Sequence, residues 1–208
     1  MSGDDLKKYL SIAQKAAITA GKFLSEDPSA SRKVSKNLLH DVKIEADTQS
    51  EKLIVDFLKQ KTGFSVLSEE AGMMKGRESH LTWIVDPVDG SLNYSRGLPI
   101  CCISIGLWKE EVPLLGIIYD FNRNELFSGI AHAGAWLNDK PITVSLVSDK
   151  KNAVLLTGFP FKTNFSDQGI RDFVNDIQSY KKVRLLGSAA LSIAYVAAGR
   201  AEAYSEKD

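Results

Sequence analysis

"ICCISIGLWKEEVPLLGIIYDFNRNELFSGIAHAGAWLNDKPI", residues 100–142, is a series of apolar runs separated by short polar turns at KEE and FNRN. Parallel strands need crossovers of roughly a dozen residues or more, which these turns cannot supply, so the pattern predicts an antiparallel meander. The rest of the chain has to be arranged around that sheet.

Immediately upstream, residues 83–99 read WIVDPVDGSLNYSRGLP, an apolar run that ends in Asp86 and Asp89 with Pro87 between them and Gly90 after them. Pro87 fixes its own backbone and lets Val88 turn its carbonyl outward, while Gly90 permits a conformation closed to residues with a Cβ. Asp86, the Val88 carbonyl and Asp89 are then expected to face one ion cluster. Ser91 to Tyr94 open a helical turn whose N–H groups and positive dipole end suit a phosphate.

Further upstream, FSVLS (64–68) and LTWIVD (81–86) read as short buried strands joined by the loop SEEAGMMKGRES. Both end in carboxylates. Thr48 and Glu51 have capping-box spacing before the stripe Leu53, Ile54, Phe57 and Leu58, which predicts a helix from about Thr48 to Gly63. Leu6, Tyr9, Leu10, Ala13, Ala16, Ala17, Ala20, Phe23 and Leu24 recur at helical spacing and predict an amphipathic helix over 4–25, followed by a polar link over 25–37. Downstream of the meander, AVLLTG reads as a strand, GIRDFVNDIQSY as a helix and VRLL as a strand. SAALSIAYVAAG reads as a helix apolar nearly all round, hence buried. The composition shifts near residue 145. Residues 1–145 are read as an N-terminal α+β half carrying the metal site, and 146–208 as the start of a C-terminal α/β half.

At 208 residues the chain can bury a sizeable core, and its 26 basic residues balance 26 acidic ones. No global field then draws it to nucleic acid or to an anionic membrane. The N-terminus has no unbroken apolar segment and no run approaches membrane-spanning length, so a soluble cytoplasmic protein is expected. Cys101 and Cys102 are adjacent in an apolar stretch and are read as buried, inert thiols. Trp83, Trp108 and Trp136 are read as core, His40, His80 and His132 as scattered, and Lys181, Lys182 and Arg184 as a solvated strand edge.

The carboxylates at element ends are Asp41 and Asp47 before a helix, Glu69 and Glu70 after one strand, and Asp86 and Asp89 after another; Glu70 is read as facing solvent. Two unit charges about 4 Å apart repel by about 4 kcal/mol at an effective dielectric near 20. If the strand ends converge, a cation has to sit among them. With no His pair and no Cys cluster nearby, the donors are oxygens and the expected ion is Mg2+, with Mn2+ as a substitute.

These segments resemble the inositol monophosphatase family. DPVDGSLNYSRGLP is similar to its first signature, DVKIEAD to its upstream Asp segment, SEEAG to its Glu segment and GSAALSIAYVAAGRAEAYSE to its C-terminal substrate segment, in order and over nearly the whole chain. The resemblance implies a layered αβαβα fold and a magnesium-dependent, lithium-sensitive phosphomonoesterase, commonly a homodimer, with two or three ions. By position, Glu69, Asp86 and the Val88 carbonyl would hold the first metal and Asp86 and Asp89 the second. Glu69 would also assist a third. Asp47 and Ser91 would orient and deprotonate the attacking water. Gly90 and Ser91 N–H groups would bind phosphate, and Gly187, Ser188, Ala189 and Glu206 would contact the rest of the substrate. Ser91 stands where the family usually has Thr, which keeps the hydroxyl and frees its rotamer. The family's later Trp-Asp pair has no counterpart before the last residue, Asp208, and a fragment of a longer protein is the favoured expectation.

The function expected is hydrolysis of inositol-1-phosphate or a similar polyol phosphate. Alternatives within the superfamily are phosphatases for adenosine 3',5'-bisphosphate, fructose-1,6-bisphosphate or histidinol phosphate. A catalytically weak scaffold or regulator, and a phosphohydrolase that forms an aspartyl-phosphate at Asp86, are rivals of other kinds. The last usually carries Asp-x-Asp-Gly, whereas two residues separate the aspartates here.

Overall fold

The computed structural model describes residues 2–26, 34–37, 42–159 and 165–206, with the backbone alone at 34–37, 42–44, 78 and 79. It divides into two units, Met1–Pro141 and Ile142–Asp208.

The first unit is built on one eight-stranded sheet. Its strands are β3 (Phe64–Ser68), β4 (Gly72–Met74), β5 (Glu78–Asp89), β6 (Cys102–Lys109), β7 (Val112–Asp120), β8 (Glu125–Ile130), β9 (Gly134–Leu137) and β10 (Lys140–Pro141), in the order β10-β9-β8-β7-β6-β5-β3-β4. From β5 to β10 every neighbour is antiparallel, as the turns require. The sheet is nevertheless mixed, because β3 runs parallel to β5. The segment read as a loop contains β4, which returns along the far side of β3 so that the chain crosses the start of β3 before entering β5. Gly76 sits at that crossing, where a Cβ would lie 2.3 Å from the Phe64 carbonyl carbon.

Alternation sorts the faces of the sheet. Val66, Trp83, Val85, Ile103, Ile105, Leu107 and Ile117 are buried in the core shared with helices α1 (Gly3–Glu26) and α2 (Glu45–Thr62). Leu67, Ile84 and Trp108 lie on the other face, so Trp108 is only half-buried while Trp83 is wholly enclosed. His80 and His132 are exposed.

Two expectations about the N-terminal elements are corrected. The polar link ends in a strand, β1 (Val34–Asn37), paired antiparallel with β2 (Val42–Ile44); His40 and Asp41 lie outside the described residues. Helix α2 begins at Glu45, which puts Thr48 inside the helix and frees Glu51 from any capping box. Asp47 therefore stands in the first turn and not ahead of it.

The second unit holds a parallel three-stranded sheet, β12-β11-β13, from β11 (Val154–Thr157), β12 (Lys182–Leu185) and β13 (Ala203–Ser205). A five-residue helix in the first unit, α3 (Ser91–Ser95), precedes α4 (Asp167–Ile177) and α5 (Ala189–Ala197), the two helices between these strands. Helix α5 buries Leu191, Ser192 and Ala194 but leaves Ile193 half exposed, so it is less enclosed than its composition suggests.

Candidate active site

Strand β5 is the spine of the site. It pairs regularly with β6 as far as Asp86, opposite Ser104, and resumes at Asp89, opposite Cys102, with an irregularity between. Pro87 falls in that bulge, where its missing N–H costs no ladder bond. Val88 N–H folds back onto Asp86 Oδ1 at 3.1 Å. Gly90 follows with φ 90°, the left-handed conformation expected from sequence, and α3 starts at once. The bend thus presents Asp86 and Asp89 within one short turn.

Glu69 comes to them from the parallel neighbour. Ser68 pairs with Val85 across the β3–β5 ladder, and Glu69 N–H continues it to the Val85 carbonyl at 3.3 Å. Its carboxyl is hydrogen-bonded to Asp86. Burial, then the charges of Glu69 and Asp89, push the Asp86 carboxyl up to about 8, against a single opposing hydrogen bond from Val88 N–H. The site is short of positive charge.

Asp47 enters from α2. It is 4 % exposed, and its Oδ1 lies 3.4 Å from Ser91 Oγ, which is also 2.9 Å from the Val88 carbonyl. Asp47, Glu69, Asp86, Val88, Asp89, Gly90 and Ser91 are therefore gathered at one corner of the first unit. Glu69 and Asp86 also border a hollow of about 490 Å³ lined by Leu67, Ile84, Ser104, Gly106 and Trp108.

The donors offered by Glu69, Asp86, Asp89 and the Val88 carbonyl are all hard oxygens, which suits Mg2+ or Mn2+ and does not suit zinc. Among the described residues, no three His, Cys, Asp or Glu side chains are already disposed around one ion. The physical reason is visible in their present partners: Glu69 and Asp86 bond each other, and the Cys102 thiol meets Asp89 Oδ2 at 3.5 Å. Holding an ion would require Asp86 to lose its proton and the side chains to turn toward a common point.

In the second unit, β11, β12 and β13 run parallel, with Thr157 level with Leu185 and Ser205. The residues just beyond them, Gly158, Gly187 with Ser188, and Glu206, consequently share one edge of that sheet. Ser188 caps α5, its Oγ accepting from Leu191 N–H at 3.3 Å, and Ala189 is the first residue of the helix. Glu206 is exposed and lies against Gly158, where any Cβ would strike its carboxyl.

Asn93 and Tyr94, part of the signature run, fix the backbone around the site, and Arg123 and Asp120, which had no sequence signal, join them. Tyr94 Oη donates to the Leu24 carbonyl at 2.8 Å, and Asn93 Nδ2 to the Ile100 carbonyl at 2.8 Å. Arg123 Nη1 reaches the Pro99 carbonyl at 2.7 Å and pairs with buried Asp120 at 2.9 Å. These bonds clamp the segment that follows the acidic bend. Glu69 is exposed while Glu70 is half-buried, the reverse of the expectation for Glu70, because the Glu70 N–H is drawn inward to Glu51.

Comparison with known proteins gives consistent results. A family model described as the inositol monophosphatase family matches residues 5–208. The inositol-1-monophosphatase of Synechocystis sp. is 32% identical over 209 residues, covering 99% of this chain and 73% of that protein. The Nus factor SuhB of Pasteurella multocida is 34% identical over 205 residues, covering 97% and 77%. The crystal structure of the extragenic suppressor protein suhB from Bartonella henselae superimposes with a TM-score of 0.90 at 31% identity, covering 97% of this chain and 79% of that one.

Proposed function

The chain belongs to the inositol monophosphatase family, and we propose that it is a metal-dependent phosphatase acting on a small phosphate monoester, inositol-1-phosphate or a similar polyol phosphate. The observation that carries this reading is the convergence of Glu69, Asp86 and Asp89, whose mutual repulsion and burial raise Asp86 to about 8 and call for a divalent cation in place of a proton. Glu69, Asp86 and the Val88 carbonyl would hold one Mg2+ and Asp86 with Asp89 a second, Glu69 helping a third; Mn2+ would substitute. Bound there, the ions supply an acidified water and charge compensation for the leaving oxygen.

The chain's own groups do the rest. The Ser91 hydroxyl accepts a hydrogen bond from the attacking water and turns its own proton from the Val88 carbonyl to Asp47 Oδ1. Asp47, buried and within 3.4 Å, accepts the Ser91 proton as Ser91 takes one from the water. Gly90 and Ser91 N–H groups, at the start of α3, orient the phosphate so that the water lies in line with the departing oxygen. Gly187, Ser188, Ala189 and Glu206, in the second unit, are proposed as the contacts for the polyol. In its finer detail the proposal includes inhibition by lithium, a homodimer and a cytoplasmic location; no helix of the described residues is long and apolar enough to cross a membrane.

Phosphate release from inositol-1-phosphate, with and without Mg2+, tests the reading, and a panel of adenosine 3',5'-bisphosphate, fructose-1,6-bisphosphate and histidinol phosphate ranks the substrates. The name Nus factor carried by the Pasteurella relative favours a second reading, a regulator with weak catalysis. No Mg2+-dependent release from any of the four compounds would establish that alternative.

A further inference from the structure

Glu51 takes no part in the chemistry above, yet it is an acid with only 6 % of its surface exposed. Its Oε1 accepts Glu70 N–H at 3.2 Å and Ala71 N–H at 3.0 Å. Those two amides belong to the turn between β3 and β4, the turn that begins with Glu69. Glu51 is also four residues after Asp47, so both project from one side of α2, a turn apart. A single helix therefore holds two pieces of the site: Asp47 meets Ser91 at the end of β5, and Glu51 meets the backbone beside Glu69.

The turn, closed by the Ser68–Gly72 pair of the β3–β4 ladder, is also held by β5 and by α2. Glu69 N–H is held by the Val85 carbonyl of β5, and the next two N–H groups by α2. Gly72, with φ 68°, ends the turn. Without an acceptor at position 51, these two half-enclosed amides lose their bonds to α2, and the tip of the turn beyond the Ser68–Gly72 pair can shift to regain water. The Glu69 carboxyl would move with it.

We infer that Glu51 is a positioning residue for the acidic cluster: by binding the turn backbone through both amides, it sets where the Glu69 carboxyl stands relative to Asp86. The inference rests on the reading of Glu69 and Asp86 as metal ligands. Groups that orient ligands from behind typically change metal affinity by about 10- to 100-fold when removed.

The test is Mn2+ binding alone, followed by electron paramagnetic resonance on the whole chain, with amide hydrogen exchange at Glu70 and Ala71 as a second readout. Glu51→Ala is expected to weaken Mn2+ by about tenfold and to speed exchange at both amides. Glu51→Gln keeps an oxygen in place and should restore most of the affinity. Glu51→Asp keeps the charge but falls one methylene short, so it should weaken Mn2+ and speed exchange even if the alanine variant does not fold. Val55→Ala loosens the same helix from the core and should leave Mn2+ affinity unchanged. The inference is overturned if Glu51→Asp or Glu51→Ala binds Mn2+ as the parent does, or if Val55→Ala weakens it equally. A parent protein that takes up no Mn2+ would overturn the metal reading instead, before any variant is compared.

Discussion

Ser91 Oγ carries one proton and has two acceptors within reach, the Val88 carbonyl at 2.9 Å and Asp47 Oδ1 at 3.4 Å. That pair of distances is what a relay needs: a resting partner, and a base that becomes the better acceptor once charge develops on the attacking water. A positioned proton acceptor contributes about 10²- to 10⁴-fold to such reactions. Ser91→Ala is therefore expected to lower kcat for inositol-1-phosphate by about 10²-fold. Ser91→Thr should stay within a few-fold of the parent, since the hydroxyl is kept and the added methyl only narrows its rotamers. A Ser91→Ala variant with half of the parent's rate would remove the hydroxyl from the mechanism. These residues were readable in advance because chemistry dictates type and order: acid, proline, acid, glycine and hydroxyl in one short run. Glu51 was not readable in the same way. Its partners are backbone amides 19 and 20 residues away, and no side chain at those positions advertises the contact.

The crossing between β4 and β5 is the element on which the placement of Glu69 depends. If the chain continued as a hairpin after β4, β5 would not lie beside β3 and Glu69 would not meet Asp86. The crossing is tight: Gly76 N–H donates to Ser65 Oγ at 3.0 Å, Arg77 N–H to the Gly63 carbonyl at 2.8 Å, and a Cβ at 76 would come within 2.4 Å of that same carbonyl oxygen. Backbone atoms cannot swing aside as a side chain would. Gly76→Ala should accordingly cost about 3 kcal/mol, read as a fall in the urea midpoint at unchanged slope. Gly72→Ala makes the informative comparison, because a Cβ there meets nothing within 4 Å and only the left-handed backbone, φ 68°, resists it. Its cost should be about 1 kcal/mol. Equal midpoints for the two variants would contradict the close crossing. The meander was legible because period-two alternation and short turns are local signals. The parallel β3–β5 pair was not, since it depends on which side of β3 a three-residue strand returns along. The start of α2 was displaced for a related reason: Glu45, Ala46 and Asp47 extend the helix through packing of Ala46 into the core, which overrides the capping-box spacing further along.

For the molecule as a whole, the acidic corner sets stability against pH and metal against proton. The Asp86 carboxyl, ordinarily near 3.8, titrates at about 8 in the folded protein. Because the folded state holds that proton more tightly than the unfolded chain, its contribution to stability is complete below the ordinary carboxylate value and is lost as pH rises through about 8. In EDTA, the parent should therefore lose more stability between pH 5 and pH 9 than Asp86→Asn does, and the asparagine variant should be the more stable of the two at the alkaline end. Under the proposed reading, divalent cations should reverse the balance. At saturation about 100 times the dissociation constant they stabilise the folded state by about 2.7 kcal/mol. Below pH 8 the ion has to displace a proton first, so the rise in Tm on adding Mg2+ should grow with pH. Thermal unfolding of both proteins at pH 5, 7 and 9, each with EDTA and with excess Mg2+, measures all of these differences. A parent and an Asp86→Asn variant with the same pH slope in EDTA would remove the Asp86 proton from the account, and a Mg2+ shift that persists in Asp86→Asn would move the ion elsewhere. The same experiment ties folding to the proposed activity: if the charges that weaken the metal-free protein are those that hold the ion, a variant relieved of them should melt later and hydrolyse nothing.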